Sequence, residues 1–208
     1  MFINSDPFVI IISSPSGAGK TTICKMITNN DPLIKLSISY TTRKKRLNEI
    51  HGVDYYFISK DEFIELKKGK HFLESAKVFD NYYGSPKKLV EYELKKGHCV
   101  LFDIDWQGAR QIKKNLDSKS VLSIFILPPS LTELERRLKA RNQDDTKTVE
   151  FRMQKALEEI SHYHEYDYVI INDDLDNSLK KIRSIIETKK ISRQNFNQLF
   201  HNNKFLIK

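Results

Sequence analysis

The fold of this chain is decided by the stretch Ser14-Pro15-Ser16-Gly17-Ala18-Gly19-Lys20-Thr21-Thr22. The apolar run Phe8–Ile12 precedes it and has the short, β-branched, uncharged character of a buried strand. Ile23, Met26 and Ile27 follow it with the spacing of one face of a helix. A strand, a glycine-rich turn, a Lys-Thr pair and a helix in this order are the signature of a phosphate-binding loop.

The residue types in this loop are those that polyphosphate binding requires. Gly17 and Gly19 allow the backbone to approach phosphate oxygens closely, and the N–H groups and the helix N-terminus supply positive dipoles there. Lys20 adds a charge for the outer phosphates, and Thr21 offers a hydroxyl to a magnesium ion. Ser14 replaces the usual first glycine, so mild strain is expected if its φ is positive. A Gly/Ser-rich connection with a chance lysine would explain neither the strand nor the helix beside it.

Length and composition indicate one substantial α/β domain with insertions. The chain has 208 residues, of which 39% are hydrophobic and 30% are charged. No apolar run approaches the roughly 20 residues that span a bilayer, and the N-terminus does not resemble a signal peptide. Cys24 and Cys99 lack metal-ligand spacing and are predicted to be buried thiols in a reducing compartment. We therefore expect a cytoplasmic protein with no membrane partner.

The formal charge is +8, and much of the excess lies at the C-terminus. Residues 188–208 contain five Lys/Arg residues and no acid, so residues 191–208 are described as a basic C-terminal tail. Such charge supports weak binding of RNA, but nucleotide substrates are anions as well. We expect no specific nucleic acid partner, and the sequence leaves open whether the chain forms a homo-oligomer.

Apolar strand candidates alternate with helical patterns, which is typical of an α/β sheet with parallel strands. The sequence predicts a core of five parallel strands flanked by helices, interrupted by insertions at about 37–96 and 141–155. The core then comprises residues 1–36, 97–140 and 156–190. A phosphate loop with two insertions suggests two bound nucleotides, and closure over them would exclude water, a competing phosphoryl acceptor.

Propensity and capping signals give several local assignments. Leu36–Tyr40 and Val53–Ile58 are each predicted as a strand, and Ser85 is predicted as the N-cap of a helix. Residues 141–148 are polar and predicted to be mobile, and a long helix is predicted over about 149–164.

Phosphoryl transfer depends on charge neutralisation and in-line positioning more than on a strong base. Asp103 ends a buried apolar run, where a carboxylate that holds magnesium is expected; the alternative is a cap on the next turn. Arg43 and Arg46, three residues apart, can converge on one phosphate. Because Lys44 and Lys45 lie between them, the whole run can equally be a solvated surface.

Three more arginines flank the second insertion: Arg137, Arg141 and Arg152. They can stabilise charge on a transferred group when a lid closes, or be ordinary surface residues. Glu74 can pair with the ring N–H and exocyclic amine of guanine, a donor pair that adenine lacks. On composition alone, the default interpretation of Glu74 is a plain surface residue.

Several motifs resemble the guanylate kinase family. The match covers about residues 8–187 and is carried by Ser37–Arg43, Gly52–Tyr55, Phe72–Glu74, Asn81–Ser85, Asp103–Gly108, Pro128–Ser130 and Asn172–Leu175. A series of motifs in the family's order is far more specific than a phosphate loop alone. The resemblance implies a P-loop kinase core in which residues 37–96 are a GMP-binding insertion and residues 141–155 a lid.

The same resemblance implies a reaction and a set of site residues. The γ-phosphoryl group of ATP would pass to GMP or dGMP, with Mg²⁺ accompanying ATP. Guanine would be read by Ser39, Glu74 and Asp105. The GMP phosphate would be held by Arg43, Arg46, Tyr55 and Tyr83, with Ser85 helping to bind the nucleotide. ATP and the metal would be bound by the loop Ser14–Thr22 and Asp103. The lid-side arginines would be Arg137, Arg141 and Arg152, and Asn172 and Asp173 would lie toward the adenine.

Two other functions are weighed against this one. Some scaffold proteins carry guanylate-kinase-like modules that bind phosphopeptides without catalysis, and the complete phosphate loop argues against that class. A kinase for another phosphorylated acceptor could use the same fold, and Glu74 together with Ser39 argues for guanine instead.

Overall fold

The computed structural model describes residues 6–78, 80–140 and 146–192. In these ranges the strands are β1 Val9–Ser13, β2 Ile34–Leu36, β3 Tyr40–Thr41, β4 Tyr56–Phe57, β5 Phe72–Val78, β6 Asn81–Pro86, β7 Cys99–Asp103, β8 Val121–Leu127 and β9 Tyr168–Ile171. The helices are α1 Lys20–Asn30, α2 Lys60–Lys68, α3 Lys87–Lys95, α4 Trp106–Asn115, α5 Leu131–Ala140, α6 Thr146–Ser161 and α7 Leu175–Lys190.

The larger sheet has five strands in the order β2-β7-β1-β8-β9, and every neighbouring pair is parallel. β1 lies at the centre of this sheet, and all five of its residues are buried, as expected for a strand covered on both faces. The prediction of a five-stranded parallel core flanked by helices is confirmed. Since parallel strands end at the same edge, Ile12 of β1 lies beside Asp103 of β7.

Alternate residues of β1 enter two separate hydrophobic clusters, one on each face of the sheet. Ile10 and Ile12 pack with residues of α1 and α7. Val9 and Ile11 pack with residues of α3 and α4. The period-2 alternation of a strand therefore joins both helical layers to the same central strand.

The smaller sheet has four strands in the order β4-β3-β6-β5 and lies within residues 37–96. β6 pairs antiparallel with both β3 and β5. Helix α3 falls inside the same range, yet its Val90 and Leu94 pack in a cluster of the core sheet. The insertion boundaries given by the sequence remain a prediction.

The two short strand assignments in the insertion are wrong in detail. Residues 36–40 do not form one strand, because β2 ends at Leu36 in the large sheet and β3 begins at Tyr40 in the small one. Between them the chain crosses from sheet to sheet. The assignment Val53–Ile58 shrinks to β4, because the backbone turns at Gly52, where φ is +80°, and the Asp54 N–H bonds back to the Ile50 carbonyl at 3.0 Å.

Ser85 is not a helix N-cap. It is the fifth residue of β6, and Pro86 takes the N-cap position of α3. Its hydroxyl donates to Glu74 Oε1 at 2.6 Å, so a buried polar partner on the neighbouring strand determines its role. A sequence-local capping signal could not reveal that partner.

The predicted mobile segment and the helix after it are corrected in part. α6 begins at Thr146, within the segment assigned as loop, and ends at Ser161. Residues 141–145, which include Arg141, lie outside the described residues. None of the helices in the described ranges is long and apolar enough to cross a membrane.

Candidate active site

The phosphate loop joins β1 to α1 at the carboxyl edge of the large sheet. Gly17 and Gly19 both have φ of +93°, a region that residues with a side chain rarely adopt. Ser14 does not share this conformation, because Lys70 and Asp80 are the only described non-glycine residues with positive φ. α1 starts without a capping side chain and without an acid in its first turn. Its first N–H groups therefore leave a positive helix end for an anion.

Lys20, Thr21 and Asp103 form one compact group at this edge. Lys20 Nζ lies 2.7 Å from Asp103 Oδ1, and it also donates to the Ile104 carbonyl at 3.1 Å. The Thr21 hydroxyl donates to Asp103 Oδ2 at 2.7 Å. Burial by itself would lower the pKa of Lys20, but the adjacent Asp103 carboxylate outweighs it and raises that pKa. The ammonium therefore stays charged.

Asn172, which directly follows β9, contacts the phosphate loop. Its side-chain amide donates to the Ala18 carbonyl at 2.8 Å. A Cβ on Gly19 would lie only 2.8 Å from the same amide nitrogen. Arg137 of α5 donates to the Asn172 carbonyl at 3.3 Å and pairs with Glu133 at 2.9 Å. Asp173 follows Asn172 and accepts from the Asp174 N–H.

A cleft of about 830 Å³ lies between the phosphate loop and the smaller sheet. Of the predicted site residues it is lined by Ser14, Pro15, Ser16, Gly17, Gly19, Lys20, Thr21, Thr22, Ser39, Arg43, Arg46, Tyr55, Glu74, Tyr83, Asp103, Asp105 and Arg152. Ala18 and Ser85 are buried behind it, and Arg137, Asn172 and Asp173 are not part of its lining. Residues far apart in the sequence thus meet at one cleft.

Glu74 is a buried carboxylate, 3% exposed, on β5 of the smaller sheet. It accepts a hydrogen bond from Ser85, whose hydroxyl lies 3.3 Å from that of Ser39. Burial raises the pKa of Glu74 to about 7, the nearby Asp105 carboxylate adds to this, and the Ser85 bond opposes it. A Cβ on Gly108 of α4 would lie 2.6 Å from Glu74 Oε2. The missing side chain at Gly108 therefore makes room for this carboxylate.

Asp105 lies in the same cleft and is also the N-cap of α4. One of its oxygens accepts from the Gly108 N–H at 2.9 Å and the other from Gln107 Nε2 at 3.0 Å. The cap fixes the carboxylate at a helix N-terminus.

Arg43, Tyr55 and Tyr83 form the opposite wall of the cleft. The Arg43 guanidinium lies 5.4 Å from the centre of the Tyr55 ring, and the Tyr55 and Tyr83 rings meet edge to face at 5.9 Å. Burial raises the pKa of Tyr55, so its hydroxyl remains a hydrogen-bond donor. This wall presents a cation and phenolic hydroxyls, the groups that bind phosphate.

One face of α6 borders the cleft through Phe151, Arg152, Lys155, Glu158 and Glu159. Their spacing follows the helical repeat. Glu159 Oε2 accepts the backbone N–H of Ser16 at 2.9 Å, which ties α6 to the phosphate loop. Burial raises the pKa of Glu159 although that N–H and Lys20 lower it.

Sequence reasoning missed several groups at this site: Glu49, Gly108, Lys155 and Glu159. A glycine inside a helix is a signal of close approach, and the spacing from Arg152 to Glu159 suits one helix face. The first signal could have indicated Gly108, and the second could have indicated Glu159. The contacts of Glu49 became apparent only in the folded loop.

A phosphate loop on a five-stranded parallel sheet, which faces a wall with Arg43, Tyr55 and Tyr83 across one cleft, is the arrangement of a P-loop kinase. The model of the guanylate kinase family matches residues 7–189. The chain belongs to the guanylate kinase family.

Individual relatives agree with the family match. A guanylate kinase from Rickettsia felis is 54% identical over 186 residues, which is 89% of this chain and 96% of that protein. One from Cereibacter sphaeroides is 49% identical over 185 residues, 89% of this chain and 88% of that protein. The crystal structure of a guanylate kinase from Anaplasma phagocytophilum superposes with a TM-score of 0.81 at 33% identity, and the match covers 100% of both chains.

Proposed function

We propose that this chain transfers the γ-phosphoryl group of ATP to GMP or dGMP, giving ADP and GDP, in purine nucleotide metabolism and GMP recycling. One observation carries the proposal: the phosphate loop and a second wall with Arg43, Arg46 and the buried Glu74 line the same cleft. A kinase of this kind must hold a donor and an acceptor phosphate together.

On the donor side, the loop Ser14–Thr22 binds the ATP phosphates through its backbone N–H groups. Lys20 neutralises charge on the outer phosphates. The ion pair with Asp103 at 2.7 Å supports this role because it keeps the ammonium charged at the edge of the cleft that Lys20 lines. Asn172 and Asp173, next to the loop, lie toward the adenine.

Magnesium is proposed to bind at Thr21 and Asp103. A hydroxyl and a carboxylate whose oxygens lie 2.7 Å apart fit this ion, which takes one or two protein oxygens and completes its shell with water and phosphate oxygens. When bound, Mg²⁺ would supply positive charge to the phosphates. Thr21 and Asp103 would orient it beside the loop.

On the acceptor side, Glu74, Ser39 and Asp105 read guanine. An ionised Glu74 can accept both N–H donors of the guanine edge, and the Ser85 hydroxyl holds its carboxylate in place. Arg43, Arg46, Tyr55 and Tyr83 hold the acceptor phosphate. Arg152, on the cleft face of α6, stabilises charge on the transferred group. The same role is proposed for Arg137, which bonds to the Asn172 carbonyl outside the cleft lining, and for Arg141, which lies outside the described residues.

The cytoplasm is the proposed location. Cys24 and Cys99 are both buried free thiols, which supports a reducing compartment.

The test is a coupled assay of ADP formation with ATP, Mg²⁺ and GMP. AMP and UMP serve as parallel acceptors, and a reaction without acceptor measures hydrolysis. We expect turnover with GMP and dGMP and none above background with AMP. Turnover with a non-guanine acceptor alone would overturn the substrate assignment. A folded protein that binds GMP without turning over would indicate an interaction module.

A further inference from the structure

Glu49 contacts Arg43 and Arg46, two arginines that line the cleft and are proposed to hold the acceptor phosphate. Its carboxylate accepts two hydrogen bonds from Arg43, from Nη1 at 3.0 Å and from Nη2 at 2.7 Å. Oε2 also accepts the backbone N–H of Arg46 at 2.8 Å, and Arg46 Nη1 lies 3.9 Å from Oε1. One carboxylate therefore holds the guanidinium of Arg43 and the backbone at Arg46 at the same time.

The ion pair is shielded and geometrically defined. The side chains of Arg43 and Glu49 are each only 16% exposed, and a two-bond contact between a guanidinium and a carboxylate fixes the plane of both groups. A third guanidinium bond goes to the Lys44 carbonyl at 2.8 Å. The Glu49 N–H bonds back to the Arg46 carbonyl at 3.2 Å, which closes the turn.

The two arginines differ in how they are held. The Arg43 side chain is bonded by Glu49 and lies over the rings of Tyr55 and Phe57 at 5.4 and 5.8 Å. The side chain of Arg46 is 48% exposed, and Glu49 holds it mainly through the backbone. Without Glu49, the loop that carries both cations would lose its main internal contact.

We propose that Glu49 is a positioning residue for the acceptor phosphate, which preorganises Arg43 and Arg46 to receive it. The inference rests on the proposed function, because it assigns the GMP phosphate to these arginines. A nearby negative charge, taken alone, repels a phosphate. Electrostatic repulsion and positioning therefore predict opposite signs when the charge of Glu49 is removed.

The test compares GMP with guanosine, which lacks the phosphate, in Glu49→Gln and in the unaltered protein by calorimetric titration. We expect GMP to bind roughly tenfold to a hundredfold more weakly in the variant, the range for loss of hydrogen bonds to a charged group. Guanosine should bind equally well to both proteins, because its base contacts do not involve Glu49. Glu49→Asp, with a shorter carboxylate, should give an intermediate loss for GMP.

Asp80→Asn is the matched control. Asp80 borders the same cleft, pairs with Lys77 at 2.9 Å, and its side chain is 93% exposed. Its φ is +63°, a conformation that asparagine tolerates well. This change removes one negative charge without touching the arginines, so GMP affinity should stay the same or increase slightly.

Three outcomes separate the inference from the proposed function. Unchanged or tighter GMP binding in Glu49→Gln would overturn the inference and leave Glu49 as a nearby charge. Equal losses for GMP and guanosine, with a lower melting temperature, would overturn it in favour of a purely structural role. If the unaltered protein binds GMP no better than guanosine, the acceptor-phosphate assignment itself fails.

Discussion

The phosphate loop and the wall that carries Arg43 and Arg46 face each other across one cleft, and each is suited to an anion by different means. The loop uses backbone N–H groups at the start of α1, where two glycines at φ +93° expose them. The wall uses long side chains, which have many rotamers and need to be held. Backbone donors are positioned by the fold itself, whereas side-chain donors need partners such as Glu49.

The carboxylate partners of the two cations also differ in origin. Lys20 is the first residue of α1 and pairs with Asp103, the last residue of β7 in the core sheet. Arg43 pairs with Glu49, six residues further along the same loop. The donor side therefore depends on long-range packing of the core, and the acceptor side on a local turn. Changes to each side should affect different steps of the reaction.

The largest effect is expected for Lys20→Ala, which removes a cation from the phosphate-loop side of the cleft only. We expect turnover to fall by about 10²- to 10³-fold, the usual effect of removing one group that stabilises developing charge. GMP affinity should be unchanged, because Lys20 lies on the donor side. Steady-state ADP formation and GMP titration measure the two effects. Full turnover in a folded variant would contradict the role given to the phosphate loop.

Glu74→Gln tests the acceptor side. We expect KM for GMP to rise roughly tenfold to a hundredfold, because a neutral amide cannot accept both guanine donors and leaves a buried group unpaired. KM for ATP should not change. Loss of ATP binding with GMP binding intact would show that the two sites have been interchanged.

The same residue should make GMP use depend on pH. The pKa of Glu74 is raised to about 7, so the carboxyl is protonated below that pH and can accept both guanine donors only above it. We expect KM for GMP to fall as pH rises through about 7, and this step should be absent in Glu74→Gln. A phosphate monoester itself titrates near pH 6, and the variant separates this contribution because it uses the same substrate.

The stability of the fold should change with pH in the direction opposite to that of GMP affinity. A carboxyl whose folded pKa lies above its unfolded value stabilises the unliganded fold at low pH. That contribution is lost as pH rises through about 7. The difference in free energy of unfolding between the unaltered protein and Glu74→Gln should therefore decrease over the same range, as measured by urea titration at several pH values.

The smallest expected effect concerns the link between the core and the insertion. Lys25 of α1 pairs with Asp54 at 2.6 Å, but its side chain is 50% exposed. Because exposed ion pairs contribute about 1 kcal/mol or less, Lys25→Met should change the free energy of unfolding by no more than that. Turnover should also be nearly unchanged, which makes this variant a control for Lys20→Ala on the same helix. A large loss of GMP affinity would instead show that the pair orients the insertion.

Much of the core could be predicted because its signals are local. A buried strand such as β1 is an uninterrupted apolar run, and the loop Ser14–Thr22 is a contiguous motif with its own backbone requirements. Two helix starts carry local caps of a kind that a sequence pattern can indicate: the Ser59 hydroxyl accepts the Glu62 N–H, and the Ser130 hydroxyl accepts the Glu133 N–H. The insertion was harder, because β3 and β4 are each two residues long and carry little periodicity.

The sequence by itself determined the class of fold, the phosphate loop and, through its ordered motifs, the family, because each of these has a signal within a short contiguous stretch of residues. Only the tertiary structure decided that Ser85 supports Glu74 rather than capping a helix, and that Gly108 makes room for that carboxylate. It also decided that Glu159, 143 residues further along the chain than Ser16, accepts the Ser16 N–H of the phosphate loop. A side chain's partner depends on which strands and loops come together, and no short stretch of sequence contains that information.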